Sequence, residues 1–300
     1  MGGRLAPVLV LLGGLCLAPG AGAAGSAGVC PGPPFAGRGE RVSGLWARGQ
    51  RLEREEAFAD SARLYEEVVG LAPDLAHVYW RIARNQSLAG ARLPLADREG
   101  RLRAFGLAER WGARCAEVDP ACAECLLYEF VGMSRAATTR GVLAAARSAA
   151  AMAALLDRAL ALRPTHADND WNLELGNLYY AAGIFYRALP ETALAEWTLG
   201  VRGDRRRSLE YLRRALATSP RRVDYHVELG AALLCLGAKT SDPQPTAEGI
   251  SVLERVPDLP ELQSTDPIDR EHAGVLIGDP DAACGYGRED WIARGVGGAR

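Results

Sequence analysis

Prolines close a series of helical patterns along the chain. Pro73, Pro120, Pro164 and Pro220 each follow a stretch in which apolar residues repeat at helical spacing and share one face. Because proline cannot continue a helix, each of these positions marks a turn between two helices. No run of alternating apolar and polar residues is long enough to predict a sheet. The chain is therefore predicted to be all-α and built from stacked antiparallel helical hairpins.

The clearest repeat lies between Leu45 and Pro73. Gly49 falls where the first helix of a tetratricopeptide (TPR) unit of about 34 residues needs a small side chain, and Ser61 and Tyr65 fall at packing positions of the second helix. Further first-helix patterns centre on the small residues Gly132, Gly176 and Gly230 and on Tyr79, Ile82, Tyr128, Leu175, His226 and Leu229. The spacing predicts a TPR-like α-solenoid over residues 41–238. An irregular segment over 239–300 is predicted to pack on the last hairpin.

The N-terminal residues 1–23 have the pattern of a secretory signal peptide. A basic start at Arg4 precedes an apolar stretch too short to span a bilayer, and Ala21-Gly22-Ala23 fits the cleavage site of such signals. A mature chain would begin near Ala24, and the Gly- and Pro-rich residues 24–40 are predicted to be a flexible leader. Lipid attachment through Cys16 is the alternative, although the residues before it fit that motif poorly. The predicted location is the periplasm.

The remaining cysteines fit an oxidising compartment: Cys30, Cys115, Cys122, Cys125, Cys235 and Cys284. Sequence alone does not choose among the pairings, although the turn at Asp119-Pro120 suggests a bridge between Cys115 and Cys122. Cys122 and Cys125 form a C-x-x-C pair. Position 126 is leucine rather than the histidine of a haem-attachment motif, and no nearby cysteine pair or histidine completes a zinc site. Structural disulfides are predicted, with a redox-active Cys122–Cys125 pair as the alternative.

Two stretches in the second half of the chain share a family pattern. A helix ending at Arg163-Pro164 precedes Leu173-Glu174-Leu175-Gly176-Asn177-Leu178-Tyr179-Tyr180, and Gly203-Asp204 precedes a helix over 208–216. Over residues 100–237 the chain resembles the TRAP-transporter T-component (TatT) family of periplasmic helical-repeat proteins. Members usually carry Gly-Gly-Asp where this chain has Arg202-Gly203-Asp204. The resemblance implies helical hairpins, a role beside a TRAP-type periplasmic substrate-binding protein, and no known catalysis.

A long connection within the fourth hairpin is the main candidate for function. It spans Ala181 to Asp204, and connections beyond about 12–15 residues in compact units are usually functional or disordered. Aromatic residues in and before it could line a groove for a partner or a small apolar ligand, with two arginines on the rim. These residues are Trp171, Tyr179, Tyr180, Phe185, Tyr186, Trp197, Arg187 and Arg202. Core packing is the alternative for the aromatics, while Gly203 and Asp204 are predicted to be structural, with Asp204 capping the next helix.

Motifs for catalysis and cofactor binding are missing from the sequence. Gly237-Ala238-Lys239-Thr240 is like the end of a phosphate loop but lacks the first glycine and a preceding strand. The histidines show no metal spacing, and no Gly-x-Ser-x-Gly elbow occurs. With 35 Lys+Arg against 37 Asp+Glu, the net charge of −2 favours neither nucleic acid nor an anionic membrane. The sequence predicts a protein without enzymatic activity, metal, cofactor or nucleic-acid partner.

The leading functional prediction is a TatT-like binding or assembly module. Its partner would be a periplasmic solute-binding protein or another envelope protein. The alternatives are a thiol-active periplasmic protein that uses Cys122 and Cys125, and a generic cell-envelope TPR scaffold that binds peptides. No transmembrane segment is predicted in the mature chain, and the sequence leaves the oligomeric state open, including a homo-oligomer.

Overall fold

The computed structural model describes residues 37–293 together with Cys30, Gly32, Pro33 and Phe35. The predicted signal peptide, Cys16, most of the leader and residues 294–300 lie outside the described residues. Helices dominate the described chain, and its strands form one two-stranded hairpin, which confirms the all-α prediction. None of these helices combines the length and the apolar composition that a membrane crossing requires.

The helices follow one another through short connections. They are α1 (Glu40–Arg54), α2 (Phe58–Leu71), α3 (Ala76–Arg92), α4 (Arg98–Val118), α5 (Ala123–Arg140), α6 (Val142–Leu162), α7 (Glu174–Ala188), α8 (Ala193–Leu199), α9 (Arg205–Thr218), α10 (Val223–Thr240), α11 (Pro243–Glu254), α12 (Asp266–Gly278) and α13 (Arg288–Ala293). Strands β1 (Ala167–Asn169) and β2 (Asn172–Leu173) pair between α6 and α7. The turn prolines lie between elements as predicted, with Pro73 before α3, Pro120 before α5, Pro164 before β1 and Pro220 before α10.

Consecutive helices pack as antiparallel hairpins, and the backbones of α4 and α5 approach most closely. A Cβ added at Gly112 would lie 2.4 Å from the backbone nitrogen of Glu129, and one at Gly132 would lie 2.3 Å from that of Glu109. The earlier glycine therefore lies opposite the later glutamate, and the later glycine lies opposite the earlier glutamate. This pairing means that the two helices run in opposite directions. A larger side chain at either glycine would force the helices apart.

The first helices of successive hairpins form an inner layer. Helix α3 contacts α5, α5 contacts α7, and α7 contacts α10, while each of these also packs on its own second helix, namely α4, α6, α9 and α11. In the first hairpin, Gly49 of α1 faces the ring of Tyr65 of α2, and the Ser61 hydroxyl donates to the carbonyl of Gly49 at 2.9 Å. This is the packing that the repeat pattern predicts, and it supports a TPR-like hairpin arrangement.

The fourth hairpin differs from the sequence prediction. Helix α7 continues to Ala188, so residues 181–188 are helical and do not belong to an insertion. The helix continues because Phe185 and Tyr186 are buried against the core. The connection is therefore 189–204, and it contains α8. It is closed at its base by a hydrogen bond from the Asp204 backbone nitrogen to the Tyr186 carbonyl at 3.1 Å.

The C-terminal segment is more regular than the sequence predicts. Helix α10 runs through position 238 and pairs with α11, where Gly230 faces Leu253 and Gly237 faces Thr246. Helix α12 and the 3₁₀ turn at Pro280–Gly285 also pack on α10. The prolines of this segment shorten its helices without abolishing them, because each lies at a helix start or in a turn.

Candidate functional site

Every cysteine of the described residues is bonded in a disulfide. Cys115 is bonded to Cys125, Cys30 to Cys122, and Cys235 to Cys284. The suggested bridge between Cys115 and Cys122 is therefore wrong. Cys125 lies one helical turn further into α5 than Cys122 and meets the end of α4, whereas Cys122 meets the leader. The two sulfurs of the C-x-x-C pair consequently belong to different bridges.

Sulfur atoms of the first two bridges, together with the Glu124 carboxylate, also make up the close groups of potential metal ligands in the described residues. Cys115, Cys122 and Cys125 bring their ligand atoms within 4.8 Å of one another, as do Cys30, Cys122 and Glu124. Zinc and similar ions bind the thiolate form of cysteine, which a disulfide sulfur does not supply. In the bonded form, these groups are structural cross-links.

A network of buried and half-buried polar side chains crosses the inner layer. We call it the polar seam, and it comprises Glu53, Arg81, Arg84, Asn85, Tyr128, His166, Asp168, Asn172, Glu174, Asn177, Arg222 and Tyr225. These residues come from α1, α3, α5, α7, the start of α10 and the β1–β2 hairpin. Buried charges are tolerated when they are paired and hydrogen-bonded, so the seam couples elements that are far apart in sequence.

Arg81 of α3 is the most buried cation of the seam. Its Nε donates to Glu53 Oε1 at 3.1 Å and its Nη2 donates to the other oxygen of the same carboxylate, which makes a bidentate pair. Its Nη1 donates to Asp168. Asn85 also donates to Glu53, at 2.8 Å, and the Arg81 guanidinium carbon lies 5.1 Å from the ring centroid of Trp80. Arg81 therefore ties α1, α3 and β1 together.

Asp168 is the point at which β1 meets the inner layer. Its carboxylate accepts hydrogen bonds from Arg81, Arg84 and Asn172, the last at 3.1 Å, and the His166 ring nitrogen Nε2 lies 3.1 Å from it. Burial alone would raise the pKa of Asp168, but Arg84, His166 and Arg81 together hold that pKa well below its usual range. A carboxylate with so many donors is a poor proton acceptor. The geometry therefore favours an anchor for the strand over a general base.

The seam continues from α5 to α10 through Glu174. The Tyr128 hydroxyl donates to Glu174 at 2.7 Å, and the Asn177 side-chain nitrogen donates to the same oxygen at 3.1 Å. Arg222 then donates to Asn172 at 2.9 Å and to Asn177 at 3.3 Å. These bonds join successive first helices, so the seam strengthens the stacking of one hairpin on the next.

His77 lies beside the seam among aromatic rings. Its ring centroid is 4.8 Å from that of Trp80, 4.9 Å from that of His166 and 5.4 Å from that of Trp46. Both of its ring nitrogens are buried, and neither has a hydrogen-bond partner in the part of the chain that the structure describes. Burial, reinforced by the charge of Arg81, lowers the pKa of His77 to about 2, so the ring is neutral near pH 7.

The predicted aromatic site residues are divided among several surroundings. Tyr179 and Tyr186 on α7 both stack with Tyr211 of α9, with centroid distances of 6.2 and 6.0 Å. The guanidinium carbon of Arg207 lies 4.1 Å from the Tyr186 ring centroid. This Tyr–Arg ladder packs α7 on α9. It brings two of the predicted residues together.

Other predicted residues of α7 contact the inner layer and the C-terminal helices. Tyr180 stacks on Tyr225 with a centroid distance of 4.8 Å, and Phe185 packs edge-on against a phenylalanine ring of α5. Arg187 donates to Glu228 of α10 at 2.7 Å and is only partly exposed. These side chains hold neighbouring helices together.

The last three predicted contact residues lie in connections. Trp171 is in the β1–β2 turn, where its backbone nitrogen donates to Asn169 Oδ1 at 3.1 Å. Trp197 is on α8 and faces solvent. Arg202 makes an exposed ion pair with Glu196 at 3.5 Å. The residues that the sequence predicted to line one groove are therefore distributed over the α7–α9 contact, the inner layer, the contact with α10 and two connections.

The predicted structural residues lie at close contacts. Asp204 Oδ1 accepts from the backbone nitrogen of Arg207 at 2.9 Å, at the start of α9. A Cβ at Gly203 would lie 2.0 Å from the carbonyl oxygen that follows α7, and one at Gly176 would lie 3.1 Å from Ser219 Oγ.

Large apolar side chains are most exposed on α6 and α8. Leu194 and Trp197, three residues apart on one face of α8, are 66% and 83% exposed. Val142 and Leu143 at the start of α6 are 85% and 75% exposed, and α6 contacts α8. We call Leu194 and Trp197 the α8 face. The sequence prediction included Trp197 but missed Leu194, although the spacing of three residues within 193–199 was the available signal.

Two surface clefts are lined by residues outside the predicted set. The larger, of about 450 Å³, lies between the α10–α11 turn and Pro280. The smaller, of about 210 Å³, lies at the start of α2 beside Arg92. Neither cleft includes a residue of the polar seam or of the α8 face.

No protein-family model matches the chain, and no curated protein matches it. Among solved structures, one described as "MamA RS-1 ArsTM double mutant" is similar, with 14% sequence identity and a TM-score of 0.41 over 72% of this chain and 95% of that one. The assignment as stacked helical hairpins rests on the packing described above.

Proposed function

We propose that this chain is a non-enzymatic binding and assembly module of the periplasm that docks a partner protein through the α8 face. The partner is a TRAP-type periplasmic solute-binding protein, as the resemblance to the TatT family implies. Helix α8 lies inside the stretch, residues 100–237, that carries this resemblance. The observation that carries the proposal is the exposure of Leu194 and Trp197 on a short helix between α7 and α9.

Exposure of a tryptophan is informative because this residue is enriched at the energetic centres of protein interfaces. Trp197 and Leu194 share one face, so they can enter one apolar recess of a partner together. The ion pair between Arg202 and Glu196 is exposed and lies near them in sequence, where charged groups can form a polar rim. A partner with an apolar recess surrounded by polar groups fits this arrangement.

The exported location is supported by the disulfides of the described residues, since such bonds are typical of oxidising compartments. The generic scaffold that binds peptides is the alternative of the same class, and the test below separates it by the identity of what is captured. Thiol activity has less support, because Cys122 and Cys125 are bonded to different partners. A small apolar ligand remains a prediction from the aromatic residues in and before the long connection.

The test is capture of envelope proteins on the immobilised mature chain, compared with the double variant Leu194→Glu/Trp197→Glu. The matched control is Leu71→Glu/Val275→Glu, which places the same two charges on exposed apolar positions of α2 and α12. We expect the wild-type chain and the control to retain a periplasmic solute-binding protein that the double variant loses. Equal recovery by all three chains, or recovery of envelope proteins of other classes only, would overturn the proposal.

A further inference from the structure

The end of the described chain returns to the first half of the molecule. Helix α13 carries Glu289, whose carboxylate lies between two arginines of neighbouring helices. Its Oε2 accepts from Arg101 of α4, and its Oε1 accepts from Arg135 of α5 at 3.1 Å. One carboxylate therefore bridges α4 and α5, and it belongs to an element more than 150 positions later in the chain.

The two arginines are held in place by groups other than Glu289. Both guanidinium groups lie over the ring of Phe105, at 5.3 Å for Arg101 and 5.7 Å for Arg135. Arg101 also donates to the carbonyl of Leu93 at 3.3 Å. The pair is thus pre-organised around a shared aromatic ring. Such pre-organisation lowers the cost of binding a carboxylate.

The burial of Arg101 makes an anion necessary at this position, and the half-buried Arg135 adds a second donor to it. The Arg101 side chain is only 4% exposed, whereas that of Glu289 is 43% exposed. Within the described residues, Glu289 supplies the carboxylate that pairs with either arginine. Removal of a partner from a buried charge is costly, so the arginines would accept another carboxylate if α13 left. The exposed side of Glu289 gives a competing carboxylate access.

The occupant itself indicates which class of ligand fits. Helix α13 is a short peptide segment in which Glu289 is followed two positions later by Trp291. Trp291 is buried and packs edge-on against the rings of His272 and Tyr286, at 5.3 and 4.9 Å. The site therefore recognises two features within its own chain. One is a glutamate that pairs with the arginines, and the other is an aromatic residue that packs on this apolar surface.

We propose that Arg101, Phe105 and Arg135 form a receptor for an acidic peptide segment of a partner protein, and that α13 occupies this receptor as an internal ligand. The partner segment carries a glutamate followed two positions later by an aromatic residue. This proposal goes beyond docking through α8 and uses none of its residues. Loss of binding at one surface therefore leaves the other testable.

The test uses the mature chain and a fluorescent synthetic peptide with the sequence of residues 287–293, which leaves Tyr286 in the receiving surface, measured by fluorescence anisotropy. The internal ligand is weakened by Glu289→Gln, and Glu254→Gln is the matched control because it neutralises an exposed carboxylate of α11. We expect the peptide to bind Glu289→Gln at least about tenfold more tightly than it binds the wild-type or control chain, since hydrogen bonds between charged groups are strong.

Two further arms identify what is recognised. A peptide with glutamine in place of its glutamate should bind Glu289→Gln at least about tenfold more weakly, and Arg135→Gln in the Glu289→Gln chain should abolish binding. N-acetylglutamate amide should compete poorly with the labelled peptide. Competition equal to that of the unlabelled peptide would show that the site recognises a small carboxylate, and it would overturn the assignment. Equal peptide affinity for all chains would also overturn it.

Discussion

The polar seam buries side chains that are usually exposed, and the α8 face exposes side chains that are usually buried. The seam buries charges, with Arg81 and Glu174 almost inaccessible to solvent, whereas the α8 face exposes Leu194 and Trp197. Buried charges must be paired to be tolerated, so the seam gives each hairpin a defined place on the next. Exposed apolar groups contribute little to folding and are suited to a partner. The seam therefore suits a stabilising role, and the α8 face suits the binding role proposed for it.

The largest expected effect comes from breaking the seam at Arg81. Arg81→Ala leaves the half-buried Glu53 without its cation and removes one donor from Asp168, so we expect a loss of about 3–5 kcal/mol in the free energy of unfolding. Denaturant unfolding followed by circular dichroism measures this loss. Arg63→Ala is the control, since its ion pair with Asp60 is exposed and should contribute less than about 1 kcal/mol. Equal losses would show that the seam is not a stabilising element.

An intermediate effect is expected from His77 and depends on pH. The pKa of His77 is about 2 in the folded chain, against about 6.5 for an unperturbed histidine. Below pH 6.5 the unfolded chain therefore binds a proton that the folded chain does not, and stability falls as the pH is lowered, by about 1.4 kcal/mol for each pH unit. The charged or titratable groups that influence the pKa of His77 are Arg81, His166 and Asp168.

The variant His77→Phe keeps an aromatic ring in the same surroundings and removes the titration. Between pH 6.5 and pH 5 we expect the wild-type chain to lose about 2 kcal/mol more than His77→Phe loses. Parallel unfolding titrations of the two chains at both pH values make the comparison. Identical pH dependence would mean that water or a hydrogen-bond partner reaches the ring in solution.

The smallest effect on stability is expected at the α8 face. Trp197→Ala should change the free energy of unfolding by no more than about 0.5 kcal/mol, because its side chain makes few contacts with the rest of the chain. The same change should weaken partner binding by about 2 kcal/mol or more, as at other tryptophan centres of interfaces. A destabilised chain with unchanged partner binding would reverse the roles of the two regions.

The hairpin architecture could be predicted from sequence because its signals are local. A turn proline and a small residue such as Gly49, spaced for one helical unit, report packing between neighbouring helices. The seam could not be predicted in this way, since Arg81 and Asp168 are 87 positions apart and only the fold brings them together. One signal was present: Arg81, Arg84 and Asn85 interrupt the apolar face of α3.

The residues of the predicted site lie in separate surroundings for a related reason. Aromatic composition does not distinguish a groove from a core, and Phe185 and Tyr186 belong to the buried face of α7. Cysteine pairing was also undetermined, because Cys122 and Cys125 are one helical turn apart and meet different partners. The contact of Glu289 with α4 and α5 depends on how the C-terminal helices fold back over the inner layer.

Hydrogen-exchange mass spectrometry tests the division between the two regions most directly. The chain from Ala24 is measured alone and with the proposed partner, a periplasmic solute-binding protein. We predict slower exchange in peptides that cover residues 192–202 and unchanged exchange in peptides that cover α3 and the β1–β2 hairpin. Slower exchange in α3 and the β1–β2 hairpin, with α8 unchanged, would place the partner on the polar seam and contradict the account.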